Sequence, residues 1–189
     1  MSYLLVQNTD VQKKLREEIL ETIKKCNNDI NKLTYDDISK MVYMTNTIKE
    51  TLRHYSIIPF ISRVTTCEIS CKNENNASDI IIPANTNILI PLYWINRDEK
   101  TWNESSKFNP DRFNELSDTT LKSKGYIPFG DGSRSCIGKY FANYEIAIFF
   151  CHILSKYELI KDDNFKPKIS SGISLTTSNG INIIFKKLQ

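Results

Sequence analysis

The feature that most constrains this sequence is a glycine-punctuated run around one cysteine, Cys136. Residues 129–138 read FGDGSRSCIG, and a long apolar stretch that predicts a helix follows them. Gly132 and Gly138 permit backbone conformations that other residues avoid. Arg134 adds a fixed positive charge two residues before the sulfur, and the start of a helix adds a partial one. Both charges favour a thiolate, which is the form of cysteine that ligates soft metals.

These residues resemble the cysteine loop of the cytochrome P-450 family, the haem-thiolate monooxygenases. The family pattern Phe-x-x-Gly-x-Arg-x-Cys-x-Gly is met at all five fixed positions. The resemblance implies haem b as the cofactor and Cys136 as the axial ligand of its iron. It also places Phe129, Gly132 and Gly138 at the cofactor and gives Arg134 a contact with a haem propionate. A core cysteine that precedes a helix is the plainer alternative.

A second arginine is assigned by the same resemblance. Arg63 follows Pro59, as a basic residue follows a proline in the family, where it reaches a haem propionate. We therefore expect Arg63 at the cofactor, with Arg134 as a second propionate partner. The alternative for Arg63 is an ordinary arginine at a strand edge.

An ion-pair motif stands upstream of the cysteine. Glu50 and Arg53 share one helix face at i,i+3 spacing, but an exposed pair of this kind stabilises by under about 1 kcal/mol. Residues 108–113 (FNPDRF) resemble the family's Pro-Glu-Arg-Phe segment, with Asp111 where Glu is commoner. The resemblance implies that Glu50, Arg53 and Arg112 form a buried triad. Its role would be structural, locking the irregular segment against the helix and so holding the cysteine loop.

The pattern of apolar residues and turn signals predicts a fold that is mainly α with small β-sheets (α+β). The predicted helices are the end of one helix at 1–8, then 9–25 with a capping box at Thr9, 34–38 capped by Thr34, 40–55 and 137–155. The predicted strands are 60–66, 68–71, 80–82, 87–92, 157–160, 173–176 and 181–185. Turns are expected at 73–78 and 83–85, with Asn85 able to adopt a left-handed conformation. Residues 93–124 are predicted to be irregular.

The resemblance covers essentially all 189 residues but only the C-terminal part of the family's fold, so we expect residues 1–189 to be a single partial domain. The family's oxygen-activating helix, with its Ala-Gly-x-Asp/Glu-Thr segment, is not among these residues. The first interpretation is therefore a truncated haem-dependent monooxygenase, which by itself we expect not to hydroxylate substrates productively. The alternatives are a non-catalytic remnant of such an enzyme and a haem-free helical interaction module. Either way, the apolar face of the 137–155 helix should be exposed.

Composition limits the classes of binding partner and the cellular compartment that we expect for this protein. The net charge of +3 gives no reason to expect nucleic acid, and no window is long and apolar enough for a membrane span. No signal peptide is visible, and five scattered cysteines indicate reduced thiols, so an intracellular rather than a secreted protein is expected. Zinc at Cys67 and Cys71 would need two further ligands. By resemblance the partners are an electron-donating reductase and a small apolar organic substrate, with residues 57–61 and 173–177 available to line a pocket.

Overall fold

A computed structural model describes residues 1–72 and 79–188, and the turn predicted at 73–78 lies outside these ranges. The α-helices are α1 (Ser2–Gln7), α2 (Thr9–Lys25), α3 (Tyr35–Ser39), α4 (Val42–His54), α5 (Leu92–Ile95), α6 (Asp118–Ser123) and α7 (Lys139–Leu154). The strands are β1 (Ile61–Val64), β2 (Ile69–Cys71), β3 (Ile80–Ile82), β4 (Asn87–Ile90), β5 (Tyr157–Lys161), β6 (Ile169–Ser171), β7 (Leu175–Thr177) and β8 (Ile183–Lys187). The prediction of a mainly helical fold with small sheets is confirmed.

The main core lies between α1, α2, α4 and α7. In α2 the apolar residues recur every fourth position and all four are buried, namely Val11, Leu15, Ile19 and Ile23. This spacing gives α2 one apolar stripe, which faces the other helices while lysine and glutamate side chains fill the solvent side. The core therefore follows directly from the sequence pattern.

The predicted capping box at Thr9 is wrong. Only Asn8 separates α1 from α2, so Thr9 is already helical and its hydroxyl makes no cap. The side-chain amide of Asn8 instead donates to the Leu4 carbonyl at 2.8 Å. The capping box of this chain lies at α3, where Thr34 and Asp37 bond to each other's backbone, as the prediction of Thr34 as a cap requires.

The strands of the described residues form four two-stranded antiparallel sheets, β1–β4, β2–β3, β5–β8 and β6–β7. In the first, Ile61 pairs with Ile90. Asn85, in the turn between β3 and β4, has a φ of +60°, as predicted. Strand β6 was not predicted, because the polar sequence around it lacks the alternation of a half-buried strand. The segment predicted as irregular, 93–124, also contains most of α5, a 3-10 turn at Pro110–Phe113 and α6.

A buried glutamine ties the start of the chain to its end. Gln12 is 2% exposed, and its amide donates to the carbonyls of Leu5 and Leu159 while accepting from the Leu159 N–H. Arg16 donates to the carbonyls of Leu154 and Tyr157, at the junction of α7 and β5. Because each buried polar group has a partner, α2 is fixed against β5 without an unsatisfied donor at this contact.

A smaller second core lies beneath the cysteine loop. It consists of Trp102, Phe113, Leu121 and Tyr126, all less than 8% exposed. Helix α6 ends at Ser123 and is followed by Gly125, which has a φ of +72°. The N–H of the next residue, Tyr126, donates to the Leu121 carbonyl. This is a Schellman end, and it aims the following residues toward α4.

Helix α7 is apolar on both sides. One side packs in the core, while Tyr140 and Phe141 are 72% exposed and Phe149 is 52% exposed on the other. The exposure predicted for the apolar face of this helix is thus present. Among the helices of residues 1–72 and 79–188, none has the length and apolar character that a membrane crossing requires.

Candidate functional site

The cysteine stands at the end of a tight loop closed by backbone hydrogen bonds. The Cys136 N–H donates to the Phe129 carbonyl at 2.8 Å, and the Ser135 N–H donates to the Gly132 carbonyl at 3.1 Å. The loop opens with a turn in which the Gly130 N–H donates to the Ile127 carbonyl. These bonds fix the loop while leaving the Cys136 side chain exposed, two residues before the position that caps α7.

Two glycines give the loop its path. Gly130 and Gly132 have φ values of +72° and +69°, a region that other residues rarely adopt. The expectation for Gly138 is wrong in this respect, because its φ of −83° is open to any residue. Its backbone instead passes the sulfur, and a Cβ at Gly138 would stand 3.8 Å from the Cys136 Sγ.

The two candidate propionate partners lie on different elements. Arg134 is exposed in the single 3-10 turn of the loop, Gly132–Arg134. Arg63 is half-buried on β1, opposite Ile88 of β4, and its guanidinium donates to the Ser62 carbonyl at 2.8 Å. No hydrogen bond within the described ranges joins Arg63 to the loop.

A cavity of about 790 Å³ lies beside the loop. It is bounded by α4, α7 and the loop, and Phe129 and Cys136 are part of its wall. Tyr35 and Tyr144, whose rings are 5.3 Å apart, form another part. The cysteine therefore borders both open solvent and a recess that is lined by apolar and charged side chains.

The structure brings Glu50, Arg53 and Arg112 together. The Glu50 carboxylate accepts from the Nε and Nη2 of Arg53 at 2.8 and 3.1 Å and from the Nε of Arg112 at 3.0 Å. The Asn109 N–H donates to the same carboxylate at 2.9 Å. Glu50 and Arg53 are both 0% exposed, so this is a buried network and not a surface pair.

The remaining guanidinium hydrogens hold the backbone between Asn96 and Lys107. Arg53 donates to the carbonyls of Asn96 and Ser105, each at 2.7 Å. Arg112 donates to the carbonyls of Asn103, Glu104 and Lys107 at 2.9 to 3.2 Å, a set of contacts across one short segment. Only the fixed fork of arginine can bond a carboxylate and several carbonyls at once. This geometry fits a role in which α4 holds the irregular segment.

The charges of the network are balanced around Glu50. Burial alone would raise its pKa, but the nearby His54 ring and the hydrogen bonds and positive charge of Arg53 hold the pKa of Glu50 below its usual value. The carboxylate is thus kept charged, which is what two buried or half-buried guanidinium groups require.

Sequence reasoning missed two further members of this network. His54 is 5% exposed, and its Nε2 lies 3.2 Å from the Lys107 carbonyl and 3.6 Å from Glu50. Asn96 contributes its backbone carbonyl to Arg53, and its side chain donates to the Ser56 hydroxyl at 3.1 Å. The carbonyl is available from any residue at this position. The i,i+4 spacing of Glu50 and His54 was the available signal.

The two segments expected to line a pocket are joined. The Leu175 N–H donates to the Ile57 carbonyl at 2.7 Å. Ile57 and Ile173 are 55% and 94% exposed, so both segments present apolar side chains to solvent. They form an edge that could contact an apolar molecule.

The cysteines are all free thiols, and the structure offers no alternative metal centre among them. Cys67 and Cys71 are exposed near β2, while Cys151 is buried. Within residues 1–72 and 79–188, no group of three or more His, Cys, Asp or Glu side chains is placed to share a metal ion.

Comparisons with known proteins find relatives that match most of this chain. A chain named "Probable cytochrome P450 6a13" from Drosophila melanogaster is 30% identical over 99% of this chain and 37% of its own length. "Cytochrome P450 6j1" from Blattella germanica is 34% identical over 83% of this chain and 30% of its own length. "Cytochrome P450 3A12" from Canis lupus familiaris is 33% identical over 88% of this chain and 30% of its own length. The chain thus spans about a third of the length of such relatives.

A sequence model of one family matches nearly the whole chain. The family is described as Cytochrome P450, and the match runs over residues 1–185, which include the cysteine loop and the Glu50 network. Haem is the cofactor that this family implies. The chain belongs to the cytochrome P450 family.

Proposed function

We propose that this chain is the haem-ligating portion of a P450 monooxygenase, with the Cys136 thiolate as the axial ligand of the iron of haem b. Residues 1–189 would form one part of a single P450 domain. The observation that carries the proposal is the exposed Cys136 sulfur at the end of a hydrogen-bonded loop, directly before α7. Monooxygenation of an organic substrate with dioxygen and reductase-supplied electrons is the reaction proposed for the whole protein.

The residues present fit a haem. The loop offers one thiol, and the side chain of Cys136 is exposed, so its sulfur is accessible to a ligand. Thiolate ligation is the chemistry that supports oxygen activation by the bound cofactor. The task of the loop is to hold the sulfur still, which the bond between Cys136 and Phe129 serves. The ring of Phe129 packs against the main core and limits movement of the loop entry.

Two arginines would balance the charge of the cofactor. Arg134 and Arg63 each carry a permanent positive charge that suits a carboxylate, and Arg is suited to bidentate contacts. Arg134 is exposed and its side chain is therefore available. Arg63 would exchange its bond with the Ser62 carbonyl for a propionate contact.

The partners proposed for the whole protein are a reductase and a small apolar substrate. Exposed Ile57 and Ile173, whose segments are hydrogen-bonded together, support an apolar edge for such a substrate. A haem-free interaction module is the second candidate, and the exposed Tyr140, Phe141 and Phe149 of α7 support it. Haem binding separates the two.

The test is reconstitution with haem, followed by reduction and addition of carbon monoxide. The wild-type chain should show the red-shifted Soret band of thiolate ligation, and Cys136→Ser should lose it. Cys67→Ser is the matched control, because Cys67 is also exposed but lies outside the loop. An unchanged spectrum in Cys136→Ser overturns the ligand assignment, and no saturable haem uptake by the wild-type chain favours the interaction module.

A further inference from the structure

We propose that the Tyr126 hydroxyl is a positioning group for Cys136, because it fastens the entry of the cysteine loop to α4 beside the Glu50 network. This inference concerns the haem-ligating site proposed above and rests on that function. No motif of the sequence singled out Tyr126.

The first observation is a hydrogen bond between two elements. The Tyr126 hydroxyl donates to the Lys49 carbonyl at 2.8 Å, across 77 residues of sequence. Lys49 is the residue before Glu50, so the contact reaches α4 at the position where the buried carboxylate is attached. The side chain of Tyr126 is otherwise enclosed by Trp102 and Phe113, with ring centroids 5.9 and 5.4 Å away.

The second observation is the short path from Tyr126 to the sulfur. Three residues after Tyr126, the carbonyl of Phe129 accepts the Cys136 N–H at 2.8 Å. The Gly130 N–H donates to the Ile127 carbonyl and closes a turn over residues 127–130. The path from Tyr126 to the Cys136 amide is therefore three residues of chain held in a turn, followed by one backbone hydrogen bond.

The third observation is that the backbone of Tyr126 is fixed from behind. Its N–H donates to the Leu121 carbonyl at 2.9 Å, within the Schellman end of α6. Burial, and after it the charge of Glu50, raises the pKa of Tyr126 well above its ordinary value. The hydroxyl therefore remains a neutral donor at every pH at which the protein is handled. Removal of this donor frees the loop entry on its α4 side only.

The test compares Tyr126→Phe with Tyr43→Phe. Tyr126→Phe removes one hydroxyl and keeps the ring between Trp102 and Phe113. Tyr43 is the matched control, because its ring is buried on α4 and no hydrogen bond of its hydroxyl occurs within the described residues. The first measurement is hydrogen exchange at the Cys136 amide by NMR, with amides of the α2 core as the reference for global opening.

Tyr126→Phe should accelerate Cys136 amide exchange by roughly five- to tenfold relative to the α2 amides, as expected for one lost hydrogen bond. Tyr43→Phe should leave this ratio unchanged. In the haem-loaded protein, Tyr126→Phe should lower the share of the carbon monoxide complex that shows the thiolate band, while Tyr43→Phe should not. An unchanged exchange ratio in Tyr126→Phe overturns the proposal, as does equal acceleration at Cys136 and in α2.

The two failures can be told apart. If the wild-type chain shows no thiolate band, the proposed function fails, while the amide exchange of the haem-free protein still decides the role of Tyr126. If Tyr126→Phe does not fold, the wild-type hydroxyl proton carries the test. That proton should exchange slowly enough for NMR detection, and rapid exchange contradicts the hydrogen bond on which the proposal depends.

Discussion

The Glu50 network and the Cys136 loop are built in opposite ways. In the network, charged side chains are 0 to 11% exposed and bind one another and the backbone. In the loop, the backbone bonds to itself and residues 131–137 are exposed, with Ile137 fully exposed. The charged side chains of the network thus have their partners within the chain, whereas the Cys136 side chain of the loop is exposed to solvent. A closed frame that holds an open ligand is the arrangement that a cofactor site needs.

The largest loss of stability is expected from a substitution in the Glu50 network. Glu50→Ala should cost about 3–5 kcal/mol of unfolding free energy, because it leaves the buried Arg53 guanidinium uncompensated. Denaturant titration measures the loss. The control is Glu158→Ala, whose partner Lys186 is 3.6 Å away in an exposed pair and whose loss should stay within about 0.5 kcal/mol. Equal losses in the two variants would falsify the view that the network is the frame.

A second variant changes Gly125, which follows α6 and precedes the cysteine loop. Gly125 has a φ of +72°, and a Cβ there would stand 2.8 Å from the Ile95 Cγ2. Gly125→Ala should therefore cost about 2–4 kcal/mol, from left-handed strain and the clash together. In Gly180→Ala, with a φ of +75° and no atom within 4 Å, only the strain of about 1–2 kcal/mol remains. Indistinguishable unfolding free energies would show that Ile95 yields without cost.

Thiol chemistry sharpens the contrast between open and closed regions. Cys136 is exposed, whereas Cys151 is 1% exposed and burial, with the charge of Glu18, raises the pKa of Cys151 to about 12. Alkylation of Cys136 should exceed that of Cys151 on the order of a hundredfold. Peptide mass spectrometry after timed labelling gives both rates, with exposed Cys67 as an internal standard. Bound haem should protect Cys136 alone, and protection of Cys67 to the same extent would indicate nonspecific uptake.

The smallest expected effect is the pH dependence of Glu18. Its carboxylate accepts from the N–H groups of Tyr43 and Met44 at the start of α4, yet burial outweighs these bonds and raises its pKa above 4.5. The folded chain then binds this proton more tightly than the unfolded chain does. The contribution of Glu18 is therefore most favourable below pH 4.5 and declines as the pH rises through the raised pKa.

Replacement of Glu18 by glutamine, a neutral amide, should remove this decline in stability with pH. Urea unfolding between pH 4 and 7 should show a gap between wild type and Glu18→Gln that changes with pH in that direction. Glu17→Gln, on the exposed side of α2, is the matched control for replacing a glutamate of this helix. Glu50 has the opposite sign, because its lowered pKa provides stability that is lost as the pH falls below 4.5. A constant gap for Glu18→Gln would contradict the raised pKa.

The helical frame was accessible from sequence because its signals are local. The four-residue spacing in α2 predicts a buried stripe, and Thr34 followed by Asp37 predicts a helix start. The contact between Glu50 and Arg112 spans 62 residues and required a resemblance to a family. The Tyr126 hydroxyl donates to the Lys49 carbonyl, and the Asn96 carbonyl accepts from Arg53. Neither contact has a local signal, because any residue could offer the backbone carbonyl. Gly138 shows the reverse error, since glycine marks nearness to the sulfur and not an unusual φ.

The hydrogen bonds of Gln12 determine when α2 and β5 can pack together during synthesis. Its amide is satisfied by Leu159, which lies 147 residues later. At the usual rate of roughly 5–20 residues per second, translation needs about 7–30 s to cover that distance. During this interval α2 has its apolar stripe but not the strand that completes its polar contact. Nascent chains that stop before Leu159 should therefore lack the contact that fixes α2 against β5, although α1 and α4 are already present to cover part of the apolar stripe of α2.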